Sequence, residues 1–206
     1  QVGRQDYPGT VYDQIKGSCA GNRLYRRTGD NQPWQELSAE MGINRVGWAY
    51  SPAMFDLDGD GWLDLYLTNF GSNALLRNNG DGTFSDVAEE SGVSGDAWST
   101  GAAFADYDAD GDLDLYVASY VDLTDSEGQE EVPPLGPCTW RGLEVFCGPD
   151  GLTPASDVLY LNDGQEEGFS FSDMGESWGI RETGPYFGLG VLAVDFDDDG
   201  DPDIYV

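Results

Sequence analysis

Three short windows of the chain repeat one spacing of aspartates. They are residues 56–64, 106–114 and 195–203, and each fits the pattern D-x-D-x-D-G-x-x-D without exception. Together they hold fifteen of the 39 acidic residues, in a chain of 206 residues with nine Lys and Arg and a net charge of −30. A compact chain with this charge repels itself unless something neutralises the windows.

The spacing of these aspartates suits a divalent cation. Carboxylates at positions 1, 3 and 5 of a tight loop can converge, glycine at position 6 permits the turn, position 7 offers its backbone carbonyl, and position 9 closes the shell. Six to eight hard oxygen ligands at about 2.3–2.6 Å favour Ca²⁺, whereas Mg²⁺ requires a stricter octahedron with retained waters. For a single window the alternative is a solvated acidic turn, but three in one register predict three Ca²⁺ sites.

The predicted ligands are Asp56, Asp58, Asp60, Trp62 and Asp64 in the first loop; Asp106, Asp108, Asp110, Asp112 and Asp114 in the second; and Asp195, Asp197, Asp199, Asp201 and Asp203 in the third.

The EF-hand shares the first half of this pattern but requires a bidentate Glu at position 12 and helices on both sides. Position 12 is here Leu67, Val117 or Val206. The segments after each loop are short runs of apolar, β-branched and aromatic residues, which is typical of strands. We therefore expect each ion loop to lie in a β-hairpin.

The windows belong to a longer internal repeat. The segments that begin at Leu24, Leu75 and Leu159 are versions of one strand and turn, and 51 residues separate the first two. A period near 50 residues with several short strands per unit is typical of a β-propeller blade. A β-sandwich would not explain one ion loop per unit in fixed phase.

The expected organisation is a single all-β propeller domain over 1–206. Its repeat units are 18–71, 72–120 and 156–206, with an insertion at 121–155. The aromatic residues Trp48, Trp98 and Phe187 each stand eight positions before a loop's first aspartate. We expect such aromatics to pack between blades, with a sugar-stacking platform as the alternative.

These segments resemble FG-GAP/VCBS repeats, the calcium-loop blades of integrin α-subunit propellers. Residues 75–117 are closer still to bacterial proteins similar to cartilage acidic protein, and the segment from Cys138 to Cys147 resembles an insertion in those relatives. The resemblance covers residues 18–206. It implies about three blades of a seven-bladed Ca²⁺ propeller, extracellular and non-enzymatic, used in adhesion or assembly.

Three units fall short of the four to eight blades of known propellers, and they would leave strand edges unpaired. The chain begins with Gln1 and ends at Val206 within a strand pattern. We expect it to be a processed or excised segment of a longer protein, or to be completed by another chain.

Cys138 and Cys147 lie in the Pro/Gly-rich insertion. Pairing them would stabilise the chain by about 2–3 kcal/mol. We expect this disulfide rather than two free thiols, because millimolar calcium and an oxidising medium occur together outside the cytosol. Cys19 then pairs elsewhere or is free. The insertion, including Glu127 to Glu131 and Trp140-Arg141, is the candidate contact surface.

Composition excludes several classes of function. The acidic charge excludes nucleic acid and anionic membranes as partners. The sequence has no histidine, so histidine-based catalysis and histidine-ligated metals are excluded, and no apolar run is long enough to span a membrane.

The favoured hypothesis is a secreted, cell-surface or periplasmic calcium-binding scaffold, non-catalytic, that binds a protein or glycan. The alternatives are a propeller-type polysaccharide lyase or hydrolase, and a structural subunit of an extracellular filament or complex.

Overall fold

The computed structural model describes residues 21–27, 29–44, 48–123, 138–145, 149, 152–164 and 169–206. Within these residues the regular elements are β-strands, with no helix among them. The all-β class expected from the sequence is therefore confirmed for the described part of the chain. The strands are β1 (Tyr25–Arg27), β2 (Trp34–Glu36), β3 (Ala49–Phe55), β4 (Asp64–Asn69), β5 (Ala74–Asn78), β6 (Phe84–Asp86), β7 (Trp98–Ala105), β8 (Asp114–Val121), β9 (Cys138–Trp140), β10 (Leu143–Val145), β11 (Val158–Asn162), β12 (Phe171–Asp173), β13 (Leu192–Val194) and β14 (Asp203–Tyr205).

Two four-stranded antiparallel sheets make up most of this structure. In the first sheet, β3, β4, β5 and β6 are neighbours in chain order. The second sheet has the spatial order β7, β8, β11 and β12, because β9 and β10 pair with each other as a separate hairpin. Two further hairpins, β1–β2 and β13–β14, form two-stranded sheets.

The sheets are staggered relative to the repeat units predicted from the sequence. The first sheet takes β3 and β4 from the unit at 18–71, and it takes β5 and β6 from the unit at 72–120. The second sheet likewise joins β7 and β8 to strands that follow the insertion. Neighbouring units are therefore connected by backbone hydrogen bonds within a sheet as well as by side-chain packing.

Strand register places each acidic window at a hairpin tip. Phe55 pairs with Asp64 at the end of the β3–β4 ladder, and Ala105 pairs with Asp114 at the end of the β7–β8 ladder. In the third hairpin the ladder ends with Asp203 opposite Val194. The windows are thus flanked by antiparallel strands, as the apolar runs after each loop predict.

The second strand of each large sheet is its most buried element. Every residue of β4 is buried, and β8 is buried at seven of its eight positions. Both faces of β4 are covered: Tyr66 faces a core shared with the second sheet, whereas Leu65 and Leu67 face a cluster covered by Leu24. A buried Leu or aromatic side chain contributes about 1.5–3 kcal/mol, so these central strands anchor the fold.

Aromatic rings connect the sheets. In the core, the ring centroids of Phe55 and Phe104 are 4.8 Å apart. At the strand ends far from the acidic loops, Trp48 stacks on Trp98 with 6.3 Å between centroids. The contacts continue from Trp98 through Tyr120 to Phe187, with centroid distances of 5.1 and 5.4 Å. The three aromatics predicted to pack between units do contact rings of neighbouring units.

A buried aspartate connects the second sheet to the segment before β13. Asp157 is 3% exposed and accepts hydrogen bonds from the hydroxyls of Tyr116 (2.7 Å) and Tyr186 (2.8 Å). Its other oxygen accepts the N–H of Ser119 at 2.7 Å. A buried carboxylate with three donors is well satisfied, so Asp157 stabilises this junction.

Candidate metal centres

The first acidic loop brings three of its carboxylates together. Side-chain oxygens of Asp56, Asp58 and Asp60 lie within 4.8 Å of one another. Each of them accepts a backbone N–H: Gly61 donates to Asp56 Oδ2 at 3.0 Å, Asp60 donates to Asp58 Oδ1 at 3.3 Å, and Trp62 donates to Asp60 Oδ1 at 2.8 Å. The remaining oxygen of Asp56, Oδ1, is buried and has no hydrogen-bond partner within the described structure. Such an oxygen beside two further carboxylates is suited to bind a cation.

The second loop has the same construction with one difference. Here the convergent oxygens belong to Asp106, Asp108 and Asp114, so positions 1, 3 and 9 meet. Asp106 is again fixed by backbone donors, the N–H groups of Asp110 and Gly111, each at 3.1 Å. The loop backbone therefore folds around the carboxylate at position 1.

In the third loop, oxygens of Asp195, Asp197 and Asp199 lie within 4.8 Å of one another. Asp195 accepts the N–H of Asp198 at 2.7 Å and that of Gly200 at 3.0 Å. All residues from Asp195 to Asp201 are exposed, in contrast to the first two loops, where position 1 is partly buried.

The last aspartate of the first loop also holds the loop in place through hydrogen bonds. Asp64 is 1% exposed, and both of its oxygens accept backbone hydrogen bonds. Oδ2 accepts the N–H of Leu57 at 3.1 Å, and Oδ1 accepts the N–H of Asn78 at 2.8 Å. Because Asn78 lies in β5, one carboxylate connects the start of the loop to the next strand of the sheet.

The second loop repeats these bonds, and the third repeats only one of them. Asp114 accepts the N–H of Tyr107 at 2.7 Å and that of Asn162, in β11, at 2.9 Å. Asp203 accepts the N–H of Phe196 at 2.8 Å, which is its one hydrogen bond to the described residues. Position 9 is therefore buried where a third strand follows and exposed in the β13–β14 hairpin.

Comparison with known families supports the repeat. The model of the FG-GAP-like repeat matches residues 11–67 and again 56–117, which is half of the chain. The chain belongs to the FG-GAP-like repeat family. A search of curated proteins found no match. FG-GAP repeats form β-propeller-like scaffolds and are typical of extracellular proteins, and among the described residues no helix is long and apolar enough to cross a membrane.

In the first two FG-GAP loops, the surroundings of the aspartate at position 9 disfavour its charged state when no cation is bound. Burial raises the pKa of Asp64 above its usual value, and the nearby carboxylates Asp58 and Asp60 raise it further, while the backbone donors lower it. Burial likewise raises the pKa of Asp114. A cation bound among these carboxylates would oppose both effects, because it stabilises the deprotonated form.

The loop backbone adopts left-handed conformations at two positions. Glycine at position 6 has φ of 90° in Gly61, 101° in Gly111 and 99° in Gly200, as the sequence predicts for a sharp turn. Position 4 is also left-handed, although it holds Ala109 in the second loop and Asp198 in the third, with φ of 61° and 63°. The aspartate spacing does not predict the left-handed conformation at position 4, because the residue there is not always glycine.

The donor set fits a hard divalent cation. Each FG-GAP loop offers only carboxylate and carbonyl oxygens, and three carboxylates converge in each. Hard oxygen donors of this number favour Ca²⁺ over transition metals. The convergent clusters leave out the side chains of the remaining predicted ligands, which are Trp62, Asp64, Asp110, Asp112, Asp201 and Asp203. Those residues border the clusters in the same loops.

Two features of the site were not anticipated from the sequence. Arg77, in β5, pairs with Asp58 of the first loop at 2.8 Å. Asn78 and Asn162 hold the position 9 aspartates through their backbone and also donate from their side chains to the carbonyls of Leu63 and Leu113. The Asn that precedes an Asn/Asp-Gly dipeptide in both segments is the available sequence signal, but by itself this pattern predicts only a turn.

Several predictions for the insertion fall outside the described residues. Cys147, Cys19 and the segment from Glu127 to Glu131 lie outside the described residues, and so does the predicted Cys138–Cys147 pairing. Trp140-Arg141 does lie in the described β9–β10 hairpin, whose turn has φ of 51° at Arg141. The disulfide and the contact surface remain predictions.

Proposed function

We propose that the chain is part of a secreted or cell-surface calcium-binding β-propeller that acts as a non-catalytic scaffold for adhesion or for binding a protein or glycan. The observation that carries this proposal is the threefold recurrence of one site: a carboxylate cluster at the tip of the β3–β4, β7–β8 and β13–β14 hairpins. In this proposal each four-stranded sheet is one blade of a larger, seven-bladed ring that further blades or another chain complete. The resemblance to cartilage-acidic-protein-like proteins supports the blade number.

Calcium has a structural role in the proposal. Each loop gathers at least four carboxylates within nine residues, and their mutual repulsion opposes the hairpin conformation. Binding of Ca²⁺ to the folded loop alone would contribute directly to the free energy of folding. Extracellular calcium modules bind with Kd of about 10⁻⁴–10⁻³ M, which matches millimolar calcium outside cells.

Calcium dependence of the melting temperature tests the structural role. We expect complete chelation with EDTA to lower the melting temperature by well over about 10 °C, and we expect Ca²⁺ but not Mg²⁺ to restore it. The matched control is a variant with Asp106→Asn and Asp108→Asn, which should lose part of this response. An unchanged melt after complete chelation would refute the proposed role of the three loops.

The partner surface is assigned to the insertion at 121–155, whose described flanks meet in a bridge between Val121, the last residue of β8, and Pro154. Pull-down or array binding with the calcium-loaded protein, compared with a variant in which residues 124–151 are replaced by a short Gly/Ser linker, tests this assignment. Loss of protein or glycan binding in the variant supports it. Calcium-loaded protein that depolymerises an acidic polysaccharide would contradict the non-catalytic part of the proposal.

A further inference from the structure

A basic side chain lies against the first acidic loop. Both Nε and Nη2 of Arg77 donate to Oδ2 of Asp58, at 3.2 and 2.8 Å. The guanidinium also lies over the ring of Phe169, 5.7 Å from its centroid. Because Phe169 is buried against the second sheet, Arg77 is held between the loop on one side and an aromatic ring on the other.

Among the residues that the structure describes, the second loop has no such cation at the equivalent strand position. In the first sheet Leu65 pairs with Leu76, and in the second sheet Leu115 pairs with Tyr160. Arg77 therefore corresponds to Leu161, the next residue along β11. An aliphatic side chain stands in the second loop where a permanent positive charge stands in the first.

The loops also differ in their own charge. The first window contains four aspartates, the second contains five, and the third contains six. With Arg77 included, the first loop has a net charge of about −3, compared with −5 and −6 in the others. Calcium-loop affinity depends on the charge of the ligand set, so the first loop has the weakest electrostatic attraction for a cation.

We propose that Arg77 is a built-in counter-ion that lowers the cation affinity of the first loop, so that the first loop fills last. This inference rests on the proposed function, because it concerns the same ion sites. Arg77 occupies Oδ2 of Asp58, whose Oδ1 accepts the backbone N–H of Asp60 at 3.3 Å, and the charge of Arg77 repels the ion. The pair borders a cleft of about 410 Å³ between the first and second loops, so an ion reaches it from solvent.

The first loop carries its own spectroscopic reporter. Trp62 is at position 7 of that loop, whereas the other two loops contain Tyr107 and Phe196 as their aromatic residues. Terbium(III) is a hard ion that calcium loops accept, and its luminescence is sensitised by a nearby indole. Luminescence excited at an indole-selective wavelength that disappears in Trp62→Phe is therefore the signal of the first loop, while calorimetry reports all loops.

The experiment is a Tb³⁺ titration of the 206-residue chain and its variants. In the wild type we expect the Trp62 signal to saturate only after most of the heat of binding has been released. We expect Arg77→Leu, which copies the second loop, to lower the midpoint of that signal about 3- to 10-fold. Arg77→Lys keeps the charge, and its midpoint should stay within about twofold of the wild type.

Leu161→Arg is the reciprocal variant. It introduces the counter-ion beside the second loop, so it should weaken one of the tighter calorimetric phases while the Trp62 midpoint is unchanged. Together, the two exchanges separate the charge at this strand position from the rest of each loop.

The outcomes distinguish this inference from the proposed function. Saturable Tb³⁺ binding with a midpoint that Arg77→Leu leaves unchanged or raises would overturn the counter-ion role and leave the ion sites intact. A Lys variant that behaves like Leu would also overturn it, because geometry rather than charge would then matter. Absence of both luminescence and heat in the wild type would remove the proposed function itself.

Discussion

The acidic loops at residues 106–114 and 195–203 follow the same spacing of aspartates but lie in different surroundings. Asp114 is fully buried and accepts hydrogen bonds from two backbone N–H groups, one of them in β11. Asp203 is exposed and accepts one, from its own loop. The backbone is nevertheless alike, with left-handed residues at positions 4 and 6 of both loops.

This comparison separates two contributions to an FG-GAP loop. The nine residues themselves determine the conformation, through the carboxylate at position 1 and the glycine at position 6. Burial and the strong anchoring of position 9 come from the third strand of the sheet, which lies beside β8 but not beside β14 among the described residues.

The largest expected effect comes from removing position 9. Asp114→Ala leaves two backbone donors without their acceptor in a buried place, which should lower the free energy of unfolding by about 2–4 kcal/mol. Asp203→Ala removes one exposed hydrogen bond and should cost less than about 1 kcal/mol. Urea unfolding in the presence of chelator measures both losses without the contribution of a bound ion. Equal losses would show that the third strand does not anchor this position.

The hairpin position of each loop and the need for glycine at position 6 could be predicted because they depend on residues close in sequence. The anchoring of position 9 could not be predicted to the same depth. Asn162 is 48 residues from Asp114, and the long insertion hides the fact that β11 pairs with β8. The sheet topology, in which β5 lies beside β4 and β11 lies beside β8, is needed to see which strand holds each position 9 aspartate.

A smaller and more uniform effect is expected at position 6. Gly111 and Gly200 have φ near 100°, and a Cβ at either position would meet no atom within 4 Å. Gly111→Ala and Gly200→Ala should therefore each cost about 1–2 kcal/mol, entirely through backbone strain. Chemical denaturation of both variants checks this. Clearly unequal costs would show that the surroundings, and not the loop sequence, determine the backbone.

The smallest expected effect is on the pH dependence of stability without calcium. The folded-state pKa of Asp114 is raised above its unfolded value, so the folded chain binds the proton more tightly. The free energy of unfolding should therefore increase as the pH falls from above the raised pKa toward the ordinary carboxyl pKa. It should decrease when the pH is raised again over the same range.

Urea midpoints measured in chelator across that pH range test this sign. Asp114→Asn should flatten the dependence, and Asp203→Asn, which changes the exposed aspartate at the same loop position, is the matched control. Saturating Ca²⁺ should weaken or reverse the trend, since the ion favours the deprotonated carboxylates. A wild-type midpoint in chelator that rises with pH over this range would contradict the assignment.

Other features were beyond sequence reasoning for the same physical reason. In the sequence, Asp157 is one of 39 acidic residues and nothing marks it as buried. In the structure it accepts hydrogen bonds from the hydroxyls of Tyr116 and Tyr186, which are 41 and 29 residues away along the chain. Arg77 resembles an ordinary solvated residue of a strand until β4 and β5 place it beside Asp58. Aspartate spacing identifies the loops, but contacts between hairpins decide how each loop differs from the others.

The stagger of the sheets has a mechanical consequence. A force that pulls the ends of one repeat apart from the next must peel β4 from β5, where Leu65, Tyr66 and Leu67 pair with Leu76, Leu75 and Ala74. A force along the chain is therefore resisted by backbone hydrogen bonds between strands as well as by apolar side-chain packing. Because successive repeats share a sheet, separating one repeat from the next requires breaking the backbone hydrogen bonds between β4 and β5.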